Sequence, residues 1–273
     1  MISRDLFDLK GTKILFSGAT GVLGTSMALY LAQQGAELLL LGRTPEKVNA
    51  LRDQITAEGG KASGYYADVT HEESLEKVKP LIESQHGSVA VLINAAGGNM
   101  PGAVIRPEQT FLDLDNDALR QVMDLNYLGT VFPVKVFLPL LLKNGGGTIL
   151  NISSMAASRP MTRVMGYASA KAAIDNLTKW LAVELSTKYG PNFRVNALAP
   201  GFFLTEQNRT LLTQEDGSLT QRGQQIISHT PMDRFGHPED LLGALHWLCS
   251  DASAFVTGSV VAVDGGFSAY AGV

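Results

Sequence analysis

The chain has 273 residues, 45% of them apolar, with 22 basic and 26 acidic residues and a formal net charge of −4, a composition that can fill the core of one α/β domain. A pI of about 5.7 without any Lys/Arg-rich run argues against nucleic acid or an anionic membrane surface as partner and for a small molecule. The single cysteine, Cys249, excludes an intrachain disulfide and lies in an apolar helical stretch suited to a buried thiol. Residues 1–10 mix charged with apolar side chains and do not read as a signal peptide. No uninterrupted apolar stretch reaches membrane-spanning length, so a cytoplasmic protein is expected.

Short apolar runs predict strands at 13–17, 37–41, 62–67, 89–93, 148–152, 193–198 and 259–263. Between them, helical periodicity covers 22–34, 45–58, 72–85, 117–143, 166–189 and 238–249, with Pro133 and Pro139 expected to kink the fourth helix. Strand and helix alternate throughout. Near-continuous apolar strands joined by crossover helices imply a Rossmann-type doubly wound, seven-stranded, mostly parallel sheet with helices on both faces. Residues 1–273 are read as one dinucleotide-binding domain. Its ligand is expected at the carboxyl ends of the strands. Two long connections, 97–115 and 201–237, follow such strand ends and are read as substrate-covering segments rather than inert insertions.

Four motifs fall at these strand ends. The first strand runs into Ser17-Gly18-Ala19-Thr20-Gly21-Val22-Leu23-Gly24 and then a helix. Glycines at such a turn let backbone approach a phosphate, while the new helix offers free N–H groups; the alternative is a close-packing device alone. Asp68 follows the third strand, where an adenine edge could be met or a helix capped. Asn94-Ala95-Ala96-Gly97 follows the fourth. Tyr167 and Lys171 share a helix face at spacing i, i+4, and Ser154 lies thirteen residues before the tyrosine. An ammonium beside a phenol favours the phenolate and is expected to draw the Tyr167 pKa down, as carbonyl reduction requires.

In this order the motifs resemble the short-chain dehydrogenase/reductase family, from about Gly11 to Gly266. The resemblance implies that Tyr167 is the general acid/base, Lys171 its pKa modifier and ribose ligand, Ser154 the hydroxyl on the substrate carbonyl and Asn126 the completion of a proton relay. Ser153 is the rival for the serine role. Implied cofactor contacts are Gly18, Thr20, Gly21, Val22, Leu23, Gly24, Arg43, Thr44, Asp68, Val69, Asn94, Ala95, Gly97, Tyr167, Lys171, Pro200, Gly201 and Thr205. No metal is expected.

At the end of the second strand, where NAD-preferring members of such folds carry a carboxylate, stand Gly42 and Arg43. A guanidinium there can grip a 2′-phosphate, with Thr44 adding a bond, so NADP(H) is expected ahead of NAD(H). The loops at 97–101, 154–163 and 204–209 read as polar and basic, fit for a hydroxylated anion. Arg159, Arg163 and Arg209 are candidates for a substrate carboxylate, Asn99, Gln207 and Asn208 for sugar hydroxyls, and Met155 for the wall; each arginine has an ordinary surface role as its alternative. These loops and the ending 264–273 resemble the D-mannonate oxidoreductase (fructuronate reductase) branch. That resemblance implies hydride transfer between the cofactor and D-fructuronate or D-mannonate. Gluconate 5-dehydrogenase, 3-oxoacyl carrier-protein reductase and a non-catalytic dinucleotide sensor or scaffold are the other readings. The glycine-rich, aromatic tail resembles tails that pack on a neighbouring subunit, implying a homotetramer.

Overall fold

The computed structural model of the chain describes residues 5–205 and 208–272. Strands β1 (Lys13–Ser17), β2 (Glu37–Gly42), β3 (Lys61–Tyr66), β4 (Val91–Asn94), β5 (Gly147–Ile152), β6 (Phe193–Pro200) and β7 (Val260–Val263) match the seven expected, with ends displaced by no more than two residues. They form one sheet in the order β3-β2-β1-β4-β5-β6-β7, and every pairing is parallel. Successive strands step outward from β1 in one direction and then, starting at β4, in the other. The switch opens a crevice at the carboxyl ends of β1 and β4, where Ser17 stands opposite Asn94.

Alternate strand residues feed two cores. Ile14, Phe16, Leu38 and Leu40 pack on Met27 and Leu31 of α1 (Val22–Gln33), Val48 and Ile55 of α2 (Pro45–Ala57), and Leu245 and Leu248 of α9 (Leu242–Cys249). Their neighbours Leu15, Leu39 and Leu92 face the other way, onto Leu75 and Ile82 of α3 (Glu72–His86), Phe137 and Leu141 of α5 (Gly129–Lys143), and Leu181 and Leu185 of α6 (Met165–Tyr189). Burial on both faces is why the strands read as unbroken apolar runs.

The helix expected over 117–143 is divided. α4 (Asn116–Met123) passes through one π-helical segment, Asp124–Leu128, into α5. Neither proline makes the break: Pro133 and Pro139 both lie inside α5, which continues through them. Contrary to the hydropathy reading, Asn116–Lys143 is long and apolar enough to cross a membrane by length and composition, but half of its most apolar window is buried inside the protein. Residues 201–237, read as a long connection, contain α7 (Arg209–Leu212) and α8 (Gln221–Ser228). Leu212, Ile226 and Phe235 give that segment a small core of its own, packed on Phe202 and Phe267.

The turn from β1 into α1 depends on two glycines. Gly18 has φ +77°, and a Cβ there would sit 2.3 Å from the Ala96 nitrogen and 2.5 Å from the Ala95 carbonyl oxygen. A Cβ on Gly24 would lie 2.2 Å from the Gly18 oxygen. Gly18→Ala is therefore expected to cost at least ~2 kcal/mol in denaturant unfolding, through left-handed strain plus backbone overlap, and to weaken dinucleotide binding.

Candidate active site

A cavity of about 400 Å³ opens at the switch point, walled by the glycine turn on one side and by Tyr167, Lys171, Pro200 and Gly201 on the other. Of the expected cofactor contacts, Gly18, Gly21, Val22, Leu23, Gly24, Ala95, Gly97, Tyr167, Lys171, Pro200, Gly201 and Thr205 line it. α1 begins at Val22 with no side-chain cap on its first N–H groups, which leaves those donors for an anion. Gly97 keeps the floor clear, since a Cβ there would lie 2.7 Å from Asn126 Oδ1 and 3.1 Å from Lys171 Nζ. These features fit a dinucleotide.

The remaining expected contacts lie off that cavity. Arg43 and Thr44 stand just past β2, and Arg43 is near enough to Asp68 to help lower its carboxyl pKa, where two hydrogen bonds from Thr70 are the larger lowering influence against burial. Val69 follows Asp68 and is buried in the α3/α5/α6 core. Gly42 approaches Val48, and Thr20 lies beside it. Asn94 is turned into the protein instead: its Nδ2 donates to Asn151 Oδ1 at 3.0 Å, and Asn151 donates on to Thr178 at 2.9 Å. That relay ties β4, β5 and α6 together beneath the crevice.

Ser154, Tyr167, Lys171 and Asn126 converge. Lys171 is 4% exposed, donates from Nζ to the Ile152 carbonyl at 2.7 Å, and stands 5.6 Å from the Tyr167 ring centroid. Burial depresses its pKa from 10.5 to about 8, partly opposed by the Asp175 carboxylate one turn further on. Asn126 is fully buried in the π-helical segment, where its Nδ2 donates to the Gly98 and Val122 carbonyls at 2.7 and 2.8 Å and its Oδ1 accepts from Gly98 N–H at 3.1 Å. It thereby fixes the backbone at Gly98, between the two cavities.

The serines separate cleanly. Ser153 also lines the crevice, but its hydroxyl is committed to Asp175. Ser154 Oγ accepts from Ala156 N–H at 3.2 Å and lies close enough to the Tyr167 phenol to oppose the rise of its pKa. The expected lowering of the tyrosine pKa is not found. Burial pushes the phenol up and outweighs the opposing Ser154 bond, while the Lys171 ammonium is engaged at the Ile152 carbonyl.

A second cavity of about 350 Å³ adjoins the first and shares Gly98, Ser154, Tyr167, Gly201 and Phe202 with it. Its wall corrects the expectation of a polar lining. Met155, Ala156, Met161 and Val164 are apolar, Asn99 is polar, and the charge comes from Arg222, which sequence reasoning missed. Arg159 is committed elsewhere: its guanidinium donates to the Ser268 carbonyl at 2.8 Å, clamping the C-terminal tail on its own chain. Arg209 is exposed at the start of α7 and does not line the cavity. Asn208 spends its amide on Phe203 O and Thr205 N–H, at 2.8 Å each, and lines the cofactor cavity. Arg163 is exposed, with φ 75°, and lies near Arg222. Gln207 lies outside the described residues. Among the described residues no group of His, Cys, Asp and Glu is arranged to hold a metal.

Residues 18–268 match the family described as enoyl-(acyl carrier protein) reductase. The chain belongs to the short-chain dehydrogenase/reductase family, NAD(P)-dependent enzymes acting on CH–OH groups. It is 46% identical to an uncharacterized oxidoreductase, UxuB, of Bacillus subtilis (strain 168), over 97% of this chain and 98% of the relative. A crystal structure of a D-mannonate oxidoreductase (so designated provisionally) from Haemophilus influenza with bound NAD superposes with a TM-score of 0.91 at 43% identity, covering 97% of this chain and 98% of that one. A gluconate 5-dehydrogenase from Burkholderia cenocepacia J2315, in complex with NADP and tartrate, superposes at 0.85 with 29% identity, covering 97% and 98%.

The buried lysine makes a stability prediction. Its folded pKa of about 8 lies below the ordinary 10.5, so between those values the unfolded chain binds the extra proton and stability rises with pH. Below pH 8 the folded protein carries the buried ammonium at a cost on the order of 3 kcal/mol, at about 1.4 kcal/mol per pH unit. The unfolding free energy of the cofactor-free protein, minus that of Lys171→Met, is expected to increase from pH 7.5 to pH 10 in urea titrations. A pH-independent difference would contradict the depressed pKa.

Proposed function

We propose that the protein interconverts a ketone and a secondary alcohol on a sugar acid, reducing D-fructuronate to D-mannonate and running in reverse. The observation that carries this reading is the convergence of the Ser154 hydroxyl, the Tyr167 phenol and the Lys171 ammonium beside a pocket whose described walls bear no carboxylate. Relatives designated for mannonate and gluconate chemistry support the substrate class. Gluconate 5-dehydrogenase chemistry, the same oxidation on the C2 epimer of mannonate, is the second reading, and it draws on the Burkholderia relative.

A nicotinamide in the crevice supplies or takes up hydride at the substrate carbon. As charge grows on the substrate oxygen, Ser154 Oγ–H donates to it and Tyr167 Oη delivers the proton. Lys171 favours the phenolate that remains, by charge, and holds ribose hydroxyls. Its ammonium is already positioned by the Ile152 carbonyl. Asn126 keeps Gly98 in place and carries the proton path onward. Arg43 and Thr44 hold a 2′-phosphate, which makes NADP(H) the preferred cofactor; the NAD in the Haemophilus relative pulls the other way. The segments 97–115 and 201–237 cover the substrate.

Tyr167→Phe is expected to lose at least ~100-fold in turnover, in the range of a general acid, while titration with the dinucleotide gives an affinity close to that of the parent. Unimpaired turnover would remove Tyr167 from its role. Initial rates of D-fructuronate reduction with NADPH and NADH in parallel, with D-gluconate oxidation and an acetoacetyl thioester as controls, test substrate and cofactor together. Rapid fructuronate turnover, faster with NADPH, is expected. Turnover of D-gluconate alone would move the assignment to the second reading, turnover of the thioester alone would overturn the sugar-acid assignment, and faster turnover with NADH would overturn the role of Arg43.

A further inference from the structure

Arg222 is a half-buried guanidinium on the second residue of α8, in the wall of the cavity that also holds Ser154 and Tyr167. Among the described residues nothing around it balances its charge. Among the described residues it has no ion pair and no hydrogen-bond acceptor, and the charged side chain nearest to it that bears on its pKa is a second guanidinium, Arg163. Burial and that like charge both push Arg222 below the ordinary arginine range, yet an arginine stays protonated. Two other arginines are well served. Arg194 donates to carbonyls and hydroxyls around Ser250 and Ser253, and Arg234 forms a two-bond pair with Asp240. A cation kept partly desolvated without a counter-charge among the described residues is costly, and five fork-like donors in the wall of a mostly apolar cavity match a planar anion.

We infer that Arg222, with Arg163 reinforcing the local field, forms the subsite that recognises the carboxylate of the substrate, and so selects sugar acids over neutral sugars. The inference rests on the sugar-acid reading above. Its chemistry is that of a bidentate carboxylate clamp at one part of the pocket, while Tyr167 and Ser154 act on the carbonyl at another. The surroundings permit the assignment. Lys171 is the other cation lining the two cavities, and it is engaged at the Ile152 carbonyl. Met155, Met161, Val164 and Phe202 line the same wall without competing for an anion. α8 is held by the Thr220 cap and by Gly223 and Ile226 packing inward, none of which involves the Arg222 side chain, so replacing that side chain leaves the helix its anchors.

The test uses the NADPH-loaded enzyme, in which an alcohol product binds without turnover. Binding is followed by cofactor fluorescence for D-mannonate and for D-mannitol, its neutral twin with –CH2OH in place of the carboxylate. D-Fructuronate reduction is measured alongside, in the parent, Arg222→Met and Arg222→Lys. Expected are tighter binding of mannonate than mannitol by the parent and a loss of mannonate affinity of roughly 10- to 100-fold in R222M, the range for a charge-assisted pair. A smaller loss is expected in R222K, which keeps the charge but not the fork. The fructuronate KM should rise in parallel while kcat changes far less. Mannonate binding and fructuronate KM unchanged in R222M would overturn the Arg222 assignment and leave the sugar-acid reading standing. If the parent neither binds mannonate nor reduces fructuronate, the sugar-acid reading fails, and tartrate then decides the subsite. Tartrate affinity that falls in R222M upholds a carboxylate clamp, and tartrate affinity that is absent or indifferent to R222M overturns it.

Discussion

Backbone meets backbone where β1 ends against β4, and the crevice takes its shape from that contact. Gly18 and Gly24 remove the two β-carbons that would otherwise hold α1 away from the sheet, and Gly97 removes a third that would fill the floor. With α1 drawn in, its uncapped first turn faces the gap between two parallel strands, and an anion is the natural occupant. On the far side the same gap is bounded by α6, whose long apolar face is seated on the sheet by Leu181 and Leu185. Tyr167 and Lys171 therefore project from a helix that cannot slide, toward a turn that cannot retreat.

That rigidity makes an uncomfortable group tolerable. Lys171 is buried, its ammonium faces one carbonyl, and its pKa shows the strain of desolvation. The fold holds it there through packing distant from the charge, since a flexible element would simply turn the side chain out to water. Asp175 moderates the penalty at one remove, and its own proton affinity is raised by burial while the Ser153 hydroxyl and two lysines oppose the rise. Energy stored in a poorly solvated cation becomes available when a partner with hydroxyls or negative charge arrives. The same reasoning extends to Arg222, where the cation is less buried but also less served.

How much of this was legible in the chain depends on whether a feature is fixed locally. Apolar runs placed the central strands because those are buried on both faces, the half-buried edge strands β3 and β7 following from their spacing, and the i, i+4 relation of Tyr167 and Lys171 survived because α6 is regular. The break in the 116–143 helix was not legible. It falls at Asp124–Leu128, where the Asn126 amide is drawn to Gly98, a residue far away in sequence, and the prolines that carry the local signal leave α5 intact. Asn94 looked like a crevice residue because it ends β4, but strand pleat turns it to Asn151. Arg222 was hidden for a related reason. Residues 201–237 lack a long period, so their two short helices form only because Leu212, Ile226 and Phe235 find each other and Phe267.

The tertiary origin of that segment also bears on specificity. Its small core packs on Phe202 and Phe267, separate from the two cores that flank the sheet, so α8, which does not line the dinucleotide crevice, can change its surface side chains without disturbing it. The reacting groups, by contrast, are tied into the sheet and α6: Ser154 follows β5, Tyr167 opens α6, and Lys171 is bonded to the last carbonyl of β5. On the reading proposed above, reaction type and substrate choice are carried by different parts of one molecule. Relatives that share the first while differing in the second are what this division permits, and under the Arg222 inference the charge on α8 is what tells an acid from its neutral twin.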